Sequence, residues 1–273
     1  MGVELNERTA VVTGAGRGLG REAALRLSAA GARVVLVSRT IEELQETEAS
    51  IEQNGGTAVG VAADISTATG TYDVKACVET HFGFASILVN AAGVFGPLQP
   101  IAGSDPERWI ETLAVNTLGP YRMCQAFAAG MVAQEWGRIV NYSSAAAFHP
   151  PAPLSSAYGT SKVALNQLTR HLAAELVGTG VTANVLHPGD VKTNMWSDIR
   201  NKAEQLGEEG EGYRSWIRWV DETGGDPPTK AADLVMKLVG DEAAGVTGQF
   251  LWISDGLQAP VTTWDTAEDV RPW

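Results

Sequence analysis

The sequence has 273 residues, of which 44% are apolar, and a mean hydropathy of −0.04, so it can bury a substantial core. Its net charge of −12 and pI near 4.8 disfavour a nucleic-acid partner or an anionic membrane surface. No apolar run reaches the ~18 residues of a membrane-spanning helix, and the polar start does not fit a signal peptide. Cys77 and Cys124 lie in predicted helices without metal-ligand spacing. We therefore expect a reduced, cytoplasmic protein that holds no metal.

Short β-branched segments alternate with longer segments of helical periodicity along the whole chain. Parallel strands covered by helices on both faces are apolar at nearly every position, as these segments are. We therefore predict a Rossmann-like, doubly wound α/β fold in a single domain over 1–273. The predicted strands are near 8–13, 33–38, 57–62, 86–90, 137–143, 181–187 and 248–253. The predicted helices are near 18–30, 40–53, 67–82, 106–133, 157–177 and 229–239.

The segment 194–228 breaks this rhythm because it is charged, glycine-rich and contains four large aromatic residues. It is too long for a simple loop, so it is either a small helical lid or a disordered excursion. The aromatic side chains favour a lid that closes over the substrate. The tail at 257–273 either reaches a neighbouring subunit or is loose.

A glycine-rich turn follows the first strand and opens the first helix, in the segment "TGAGRGLG" at 13–20. Gly14, Gly18 and Gly20 permit a tight turn and let the backbone approach a pyrophosphate. The helix N-terminus behind them carries partial positive charge. The turn therefore predicts a dinucleotide site.

The end of the second strand indicates which dinucleotide is bound. An NAD site usually has a carboxylate there for the ribose hydroxyls, whereas this chain has Ser38 and Arg39. A hydroxyl and a guanidinium suit a 2′-phosphate, and Arg17 in the glycine turn adds a second cation. We predict NADP(H) rather than NAD(H); the alternative is that Arg39 merely starts the next helix in solvent.

Two further strands end in polar residues at the same edge of the predicted sheet. Asp64 follows the third strand, where its carboxylate or the neighbouring backbone could meet an adenine edge. Asn90 and Gly93 follow the fourth strand. Open α/β sheets bind ligands at this carboxyl edge.

The chain resembles the short-chain dehydrogenase/reductase family, in its single-domain, NADP-preferring branch. The resemblance runs from about residue 5 to 193 and resumes at 245–256. The motifs that carry it are "TGAGRGLG" (13–20), "NAAG" (90–93), Asn116, Ser144, "YGTSK" (158–162) and "HPGDVKT" (187–193). It implies cofactor contacts from Gly14, Arg17, Gly18, Leu19, Gly20, Ser38, Arg39, Asp64, Ile65, Asn90, Ala91, Gly93, Tyr158, Lys162, Pro188, Gly189, Val191 and Thr193.

The same resemblance implies catalytic roles. Tyr158 would be the general acid, and because a free phenol has a pKa near ~10 the Lys162 ammonium would stabilise its phenolate. Ser144 would orient the substrate oxygen. Asn116 would interrupt its helix and hold a water that relays protons from Lys162. Thr193 would meet the nicotinamide carboxamide.

The catalytic serine has alternatives in this sequence. The family serine usually stands about thirteen residues before the tyrosine, whereas Ser144 stands fourteen before Tyr158. Ser143, Ser155 and Ser156 are the other candidates, and Ser144 is preferred.

Four more residues, at positions 86, 91, 149 and 187, are interpreted without a catalytic role. Ala91 replaces the amide of the family's commoner motif, and Ser86 stands where an aspartate is common. His149 is interpreted as structural rather than substrate-binding, and His187 as the cap of a strand.

The resulting expectation is an NADP(H)-dependent enzyme that interconverts a ketone and a secondary alcohol of small-molecule size. One alternative is the reduction of a carrier-bound or CoA-bound 3-oxoacyl thioester. Another is a non-catalytic NADP-binding regulator. The resemblance also implies a homotetramer or dimer assembled through 106–133, 157–177 and the final strand.

Overall fold

The computed structural model describes residues 3–148 and 151–253. Their strands form one seven-stranded parallel sheet in the order β3-β2-β1-β4-β5-β6-β7. All seven predicted strands are confirmed to within two residues. The strands are β1 Thr9–Thr13, β2 Arg33–Ser38, β3 Thr57–Ala62, β4 Ile87–Asn90, β5 Gly137–Tyr142, β6 Val181–His187 and β7 Phe250–Trp252.

Helices cover both faces of the sheet, so the predicted Rossmann-like fold is confirmed. The predicted helix over 106–133 is interrupted by a π-helical turn, Ala114–Leu118. His149 and the tail 257–273 lie outside the described residues. The helices are α1 Gly18–Ala29, α2 Ile41–Gln53, α3 Ala68–Phe82, α4 Pro106–Leu113, α5 Gly119–Ala133, α6 Ser156–Glu175, α7 Asn194–Gln205, α8 Glu211–Thr223 and α9 Pro228–Val239.

The sheet separates two apolar cores, which explains why its strands are mostly apolar. Val12 and Leu36 point into the core shared with α1 and α9. Val11 and Val35, their neighbours in sequence, point into the opposite core beneath α3 and α5. Successive side chains of a strand face opposite sides, so burial of both faces favours apolar residues at adjacent positions.

The order of the strands reverses between β1 and β4, which pair in parallel with Thr13 opposite Asn90. Crossovers then leave from β1 and β4 in opposite directions, which opens a crevice beyond their carboxyl ends. The glycine-rich turn and the segment after Asn90 flank this crevice. The fold therefore places the candidate site there.

Two helices, α7 and α8, occupy most of the 194–228 segment, so this segment is helical and not a disordered excursion. They pack on one another through a third apolar cluster that includes Trp196, Ile199 and Ile217. Trp219 is 50% exposed and stands outside this cluster. No helix in the described part of the chain is long and apolar enough to cross a membrane.

Candidate active site

The glycine-rich turn is packed too tightly to accept side chains. A Cβ atom built on Gly20 would lie 2.3 Å from the carbonyl oxygen of Gly14, and one on Gly14 would lie 2.9 Å from the amide nitrogen of Ala92. Gly14 and Gly18 also have positive φ, at 68° and 56°. The backbone turn thus lies directly against the segment after β4, with the N-terminus of α1 behind it, as a bound pyrophosphate requires.

Gly20→Ala is expected to destabilise the protein by about 1–3 kcal/mol, because the added methyl meets main-chain atoms that cannot move alone. We also expect NADPH to bind about tenfold more weakly, since the turn must shift. Thermal unfolding and calorimetric titration measure the two effects.

Gly130→Ala is the matched control for Gly20→Ala. A Cβ on Gly130 in α5 meets nothing within 4 Å. This change is expected to be neutral or to stabilise by up to about 1 kcal/mol. Equal NADPH affinity in Gly20→Ala and wild type would contradict the proposed role of the turn.

The three side chains predicted for a 2′-phosphate lie at the edge where β2 meets the glycine turn. The Ser38 hydroxyl donates to the carbonyl oxygen of Thr40 at 3.0 Å. Arg39 is exposed and makes no hydrogen bond or ion pair with any described residue. Arg17 donates to Glu43 at 3.0 Å, a carboxylate that the sequence reasoning missed. In the sequence Glu43 resembles an ordinary acidic residue of a helix's first turn.

Asp64 and Ile65 form the turn after β3. Asp64 Oδ1 accepts from the amide of Ser66 at 2.9 Å, so part of the carboxylate is used to close this turn. Ile65 is buried against Gly119 at the start of α5. Their predicted contact with adenine stays a prediction.

Asn90 is buried, at 2% exposure, and its amide donates to Asn141 Oδ1 at 2.8 Å. Asn141 in turn donates to the hydroxyl of Thr169 on α6 at 2.8 Å. The side chains of Asn90 and Asn141 together therefore connect β4, β5 and α6. Ala91, next along the chain, is half-buried at the crevice.

Asn116 lies in the π-helical turn, where the sequence reasoning expects the helix to be interrupted. Its Oδ1 accepts from the amide of Val94 at 2.8 Å, and its Nδ2 donates to the carbonyl of Val94 at 2.8 Å. Nδ2 also lies 3.0 Å from Ser161 Oγ. A Cβ on Gly93 would lie 3.3 Å from Asn116 Oδ1 and 3.7 Å from Lys162 Nζ. Asn116 thus fixes the loop after β4 beside Lys162, and its proton-relay role stays a prediction.

Ser144 follows β5 and forms a side-chain hydrogen bond with Tyr158. The other candidate serines are engaged elsewhere: Ser143 donates to Asn166, and Ser156 accepts from the indole of Trp109 at 3.1 Å. Of these serines, Ser144 is the one whose hydroxyl faces Tyr158, so it is favoured as the catalytic serine.

Ser155 is the remaining candidate serine. Its hydroxyl lies 3.4 Å from the carbonyl of Ala152 and also faces the phenol of Tyr213, so it donates to one of these two oxygens at a time. These contacts direct its side chain to the lid, which again leaves Ser144 as the serine beside Tyr158.

Burial raises the pKa of Tyr158 above its ordinary value, and the Ser144 hydrogen bond only partly opposes this effect. The phenol is protonated at neutral pH and is ready to donate.

Lys162 stands one helical turn beyond Tyr158 and is only 5% exposed. Its Nζ donates to the carbonyl of Tyr142 at 2.7 Å and lies 5.7 Å from the centre of the Tyr158 ring. Burial lowers the pKa of Lys162 to about 8. The ammonium is thus held beside the position where a phenolate would form.

The loop after β6 brings the last predicted cofactor residues to the same crevice. Thr193 begins α7 by accepting from the amide of Trp196 at 3.4 Å, and its methyl lies 3.7 Å from the Cβ position of Gly18. Pro188 and Val191 are half-buried beside it. Leu19 is half-buried and packs on the core of the sheet.

An aspartate pair joins this loop to the 194–228 segment. The indole of Trp216 on α8 donates to Asp190 Oδ1 at 3.0 Å, and the amide of Asp190 donates to Asp226 Oδ2 at 3.1 Å. Gly189, at φ 81°, packs so tightly that a Cβ would lie 2.5 Å from Asp226 Oδ2. The position of α8 is therefore coupled to the loop after β6.

The sequence reasoning also missed an aromatic wall over the phenol of Tyr158. Phe95 stacks on the Tyr158 ring with centroids 4.6 Å apart, and Tyr213 from α8 meets Phe95 edge-on at 6.2 Å. The Tyr213 hydroxyl donates to the carbonyl of Pro153 at 2.9 Å, which fixes this ring. The only sequence signal for Phe95 is its place just after the "NAAG" motif.

These residues fit a dinucleotide, because the glycine turn brings backbone to the crevice without intervening side chains and the exposed Arg17 and Arg39 stand at its outer end. Among the described residues, no cluster of three or more His, Cys, Asp or Glu side chains is placed to hold a metal ion.

Fold and site together define a Rossmann-like α/β protein in which a Ser, Tyr and Lys set meets a glycine-rich turn. Residues 8–204 match the short chain dehydrogenase family, and the chain belongs to this oxidoreductase family. The short-chain reductase protein NovJ from Streptomyces niveus is 36% identical over 252 residues, which cover 92% of this chain and 94% of NovJ.

Solved structures similar to this chain contain either dinucleotide. An NAD+-bound xylitol dehydrogenase has a TM-score of 0.81 at 26% identity, with 91% of this chain and 98% of that chain covered. A gluconate 5-dehydrogenase from Burkholderia cenocepacia J2315, in complex with NADP and tartrate, has a TM-score of 0.80 at 26% identity. There the match covers 91% of this chain and 94% of the other.

Proposed function

We propose that this chain is an NADP(H)-dependent oxidoreductase that interconverts a ketone and a secondary alcohol. The observation that carries the proposal is the meeting of Ser144, Tyr158 and Lys162 at the carboxyl edge of the sheet, beside the glycine-rich turn. A protein that only binds a dinucleotide has no use for three such groups together. This counts against a non-catalytic regulator.

The side chains divide the proton chemistry between them. The bound nicotinamide supplies or accepts the hydride. Tyr158, kept protonated by burial, donates its phenolic proton to the carbonyl oxygen as that oxygen gains negative charge. Ser144 donates a hydrogen bond to the same oxygen, and the Lys162 ammonium stabilises the phenolate that remains. In the reverse direction the phenolate takes the proton of the alcohol.

Support for NADP(H) over NAD(H) comes from the side chains at the end of β2. Arg39 is an exposed guanidinium without a partner in the described chain, and the Ser38 hydroxyl lies beside it. Both suit a phosphate oxygen. Similar structures bind either dinucleotide, so the residues of this chain carry the proposal.

Arg39→Gln is expected to weaken NADPH binding by about tenfold, the worth of one charge-assisted hydrogen bond to a phosphate at an exposed site. NADH has no 2′-phosphate, so its affinity should change by less than about twofold. Equilibrium fluorescence titration with both dinucleotides measures this difference.

Arg26→Gln is the control for Arg39→Gln, because Arg26 lies at the far end of α1, where it pairs with Asp233. It should alter neither affinity. An Arg39→Gln protein that binds NADPH as tightly as the wild type would overturn the proposed NADP preference.

The substrate proposed is a small carbonyl compound with an apolar part, because Phe95 and Tyr213 line the approach to Tyr158. A 3-oxoacyl group on an acidic carrier protein is the alternative. The cations near the lid do not favour it, since Lys192 and Arg200 lie 3.0 and 3.8 Å from the carboxylate of Asp221. A screen of ketones with product chirality tests the substrate class.

Assembly as a homotetramer or dimer is also proposed. Apolar side chains on α4 to α6 are exposed in the single chain, among them Ile110, Tyr121 and Val163. A cytoplasmic location is proposed on the two free cysteines, Cys77 and Cys124.

A further inference from the structure

A carboxylate that the NADP proposal does not use lies inside the candidate phosphate edge. Glu43 Oε1 accepts from Arg17 Nη1 at 3.0 Å. A Cβ atom built on Gly16 would lie 3.0 Å from Glu43 Oε2 and 3.2 Å from Ser38 Oγ. The Glu43 carboxylate, the Ser38 hydroxyl and the glycine turn therefore meet at one point.

Packing holds Glu43 at this point. Thr47, one turn further along α2, is completely buried. Its Oγ1 lies 3.2 and 3.3 Å from the carbonyl oxygens of Ala15 and Gly16 and 3.1 Å from that of Glu43. A hydroxyl donates one hydrogen, so it bonds to one of these carbonyls at a time. A bond to Ala15 or Gly16 holds α2 against the glycine turn, whereas a bond to Glu43 stays within α2. Glu43 is consequently only 30% exposed.

We propose that Glu43 is a specificity-determining residue that weakens the binding of a 2′-phosphate. The inference rests on the proposed NADP(H) function. A phosphate monoester carries a charge of about −1.5 to −2 at neutral pH, so it is repelled by the adjacent carboxylate. Arg17 can reach the phosphate only by leaving Glu43 or by sharing its guanidinium between the two anions.

The same carboxylate does not oppose NAD(H). A ribose 2′-hydroxyl can donate a hydrogen bond to a carboxylate, as in the usual NAD site. Glu43 therefore reduces the difference in affinity between NADP(H) and NAD(H) that Ser38 and Arg39 create. With this smaller difference, the site can use both dinucleotides.

Glu43→Gln tests this proposal with two nicotinamide-free probes, 2′,5′-ADP and 5′-AMP, which differ by the 2′-phosphate alone. By calorimetric titration, Glu43→Gln should bind 2′,5′-ADP about three- to tenfold more tightly than the wild type, as expected for one removed charge near an exposed dianion. Its affinity for 5′-AMP should stay within about twofold. Because exposed charges are screened, the gain should shrink as salt rises from about 0.05 M to about 0.5 M.

Glu46→Gln is the matched control. Glu46 lies one turn along α2, is 70% exposed and is 3.9 Å from Arg21, away from Gly16. It should leave both dissociation constants unchanged. Thermal unfolding without ligand checks that each variant is folded, and Glu43→Ala, expected to behave as Glu43→Gln, replaces that variant if it is not.

Unchanged or weaker binding of 2′,5′-ADP by Glu43→Gln would overturn the proposal and indicate that Glu43 positions Arg17 for the phosphate. Loss of 5′-AMP affinity would overturn it too, because Glu43 would then bind the ribose. Arg39→Gln with the same probes separates the two claims. If Arg39→Gln binds both probes as the wild type does, the proposed NADP preference is wrong. The role of Glu43 is still decided by how Glu43→Gln changes the ratio of the dissociation constants for 2′,5′-ADP and 5′-AMP.

Discussion

Tyr158→Phe is expected to lower kcat for ketone reduction by about 10²–10⁴-fold, the usual worth of a positioned general acid. The change removes only the phenolic oxygen, and with it both the transferable proton and the partner of the Ser144 hydroxyl. The ring that stacks on Phe95 is retained. NADPH affinity should therefore stay within about threefold, so that the loss appears in kcat and not in cofactor binding. Initial rates of NADPH oxidation across a panel of ketones measure it.

Tyr142→Phe is the control for this change, because it removes the same atom from a second tyrosine, which is buried. The Tyr142 hydroxyl has no hydrogen-bond partner among the described residues, whereas its main-chain carbonyl, which accepts from Lys162, is unaffected. We expect this variant to keep its activity and to be as stable as the wild type. Equal turnover by Tyr158→Phe and the wild type would contradict the proposed mechanism.

Most of the fold follows from local signals in the sequence. β1 and β2 are apolar at successive positions because helices cover both faces of the sheet. The same pattern therefore predicts both that these segments are strands and that they are buried. The interruption of the helix at Asn116 is also predictable, but that prediction comes from the resemblance to the family and not from a local sequence signal. Its cause becomes visible only in the structure, where the side chain bonds to both backbone groups of Val94.

The outer parts of the site depend on contacts between distant segments. Spacing alone leaves Ser143 and Ser144 open, and only the direction of each hydroxyl at the end of β5 separates them. Glu43 belongs to the cofactor edge because Thr47 ties α2 to the glycine turn. Phe95 belongs to the site because of its stacking on Tyr158. None of these contacts has a periodic or compositional signal.

Lys162→Met is expected to lower kcat by about 10²-fold or more at neutral pH, since the phenolate of Tyr158 then forms without a cation beside it. In the wild type, burial lowers the pKa of Lys162 to about 8. The rate of ketone reduction should therefore fall as the pH rises through about 8 and the ammonium is lost. Lys162→Met should show a low rate that does not fall further as the pH rises through about 8. Profiles of kcat against pH for both proteins measure the difference.

Although Lys162→Met should lower kcat, it should raise the free energy of unfolding at neutral pH. The unfolded chain keeps the lysine proton to about pH 10, whereas the folded chain releases it above about pH 8. The contribution of Lys162 to wild-type stability is thus constant below about pH 8 and rises between about pH 8 and 10. Burying the charge costs about 3 kcal/mol, and the bond to the Tyr142 carbonyl returns about 1 kcal/mol. Lys162→Met should therefore be more stable than the wild type by about 1–2 kcal/mol at pH 7.

That advantage should vanish towards pH 10, where the wild-type lysine is buried without charge. Urea unfolding of both proteins at pH 7 and at about pH 9.5 tests this, because other titrating groups cancel in the difference between them. A variant that is inactive yet more stable identifies Lys162 as a group retained for chemistry at a cost in stability. A variant that is less stable at pH 7, by an amount that does not depend on pH, would make Lys162 a structural residue that joins α6 to β5.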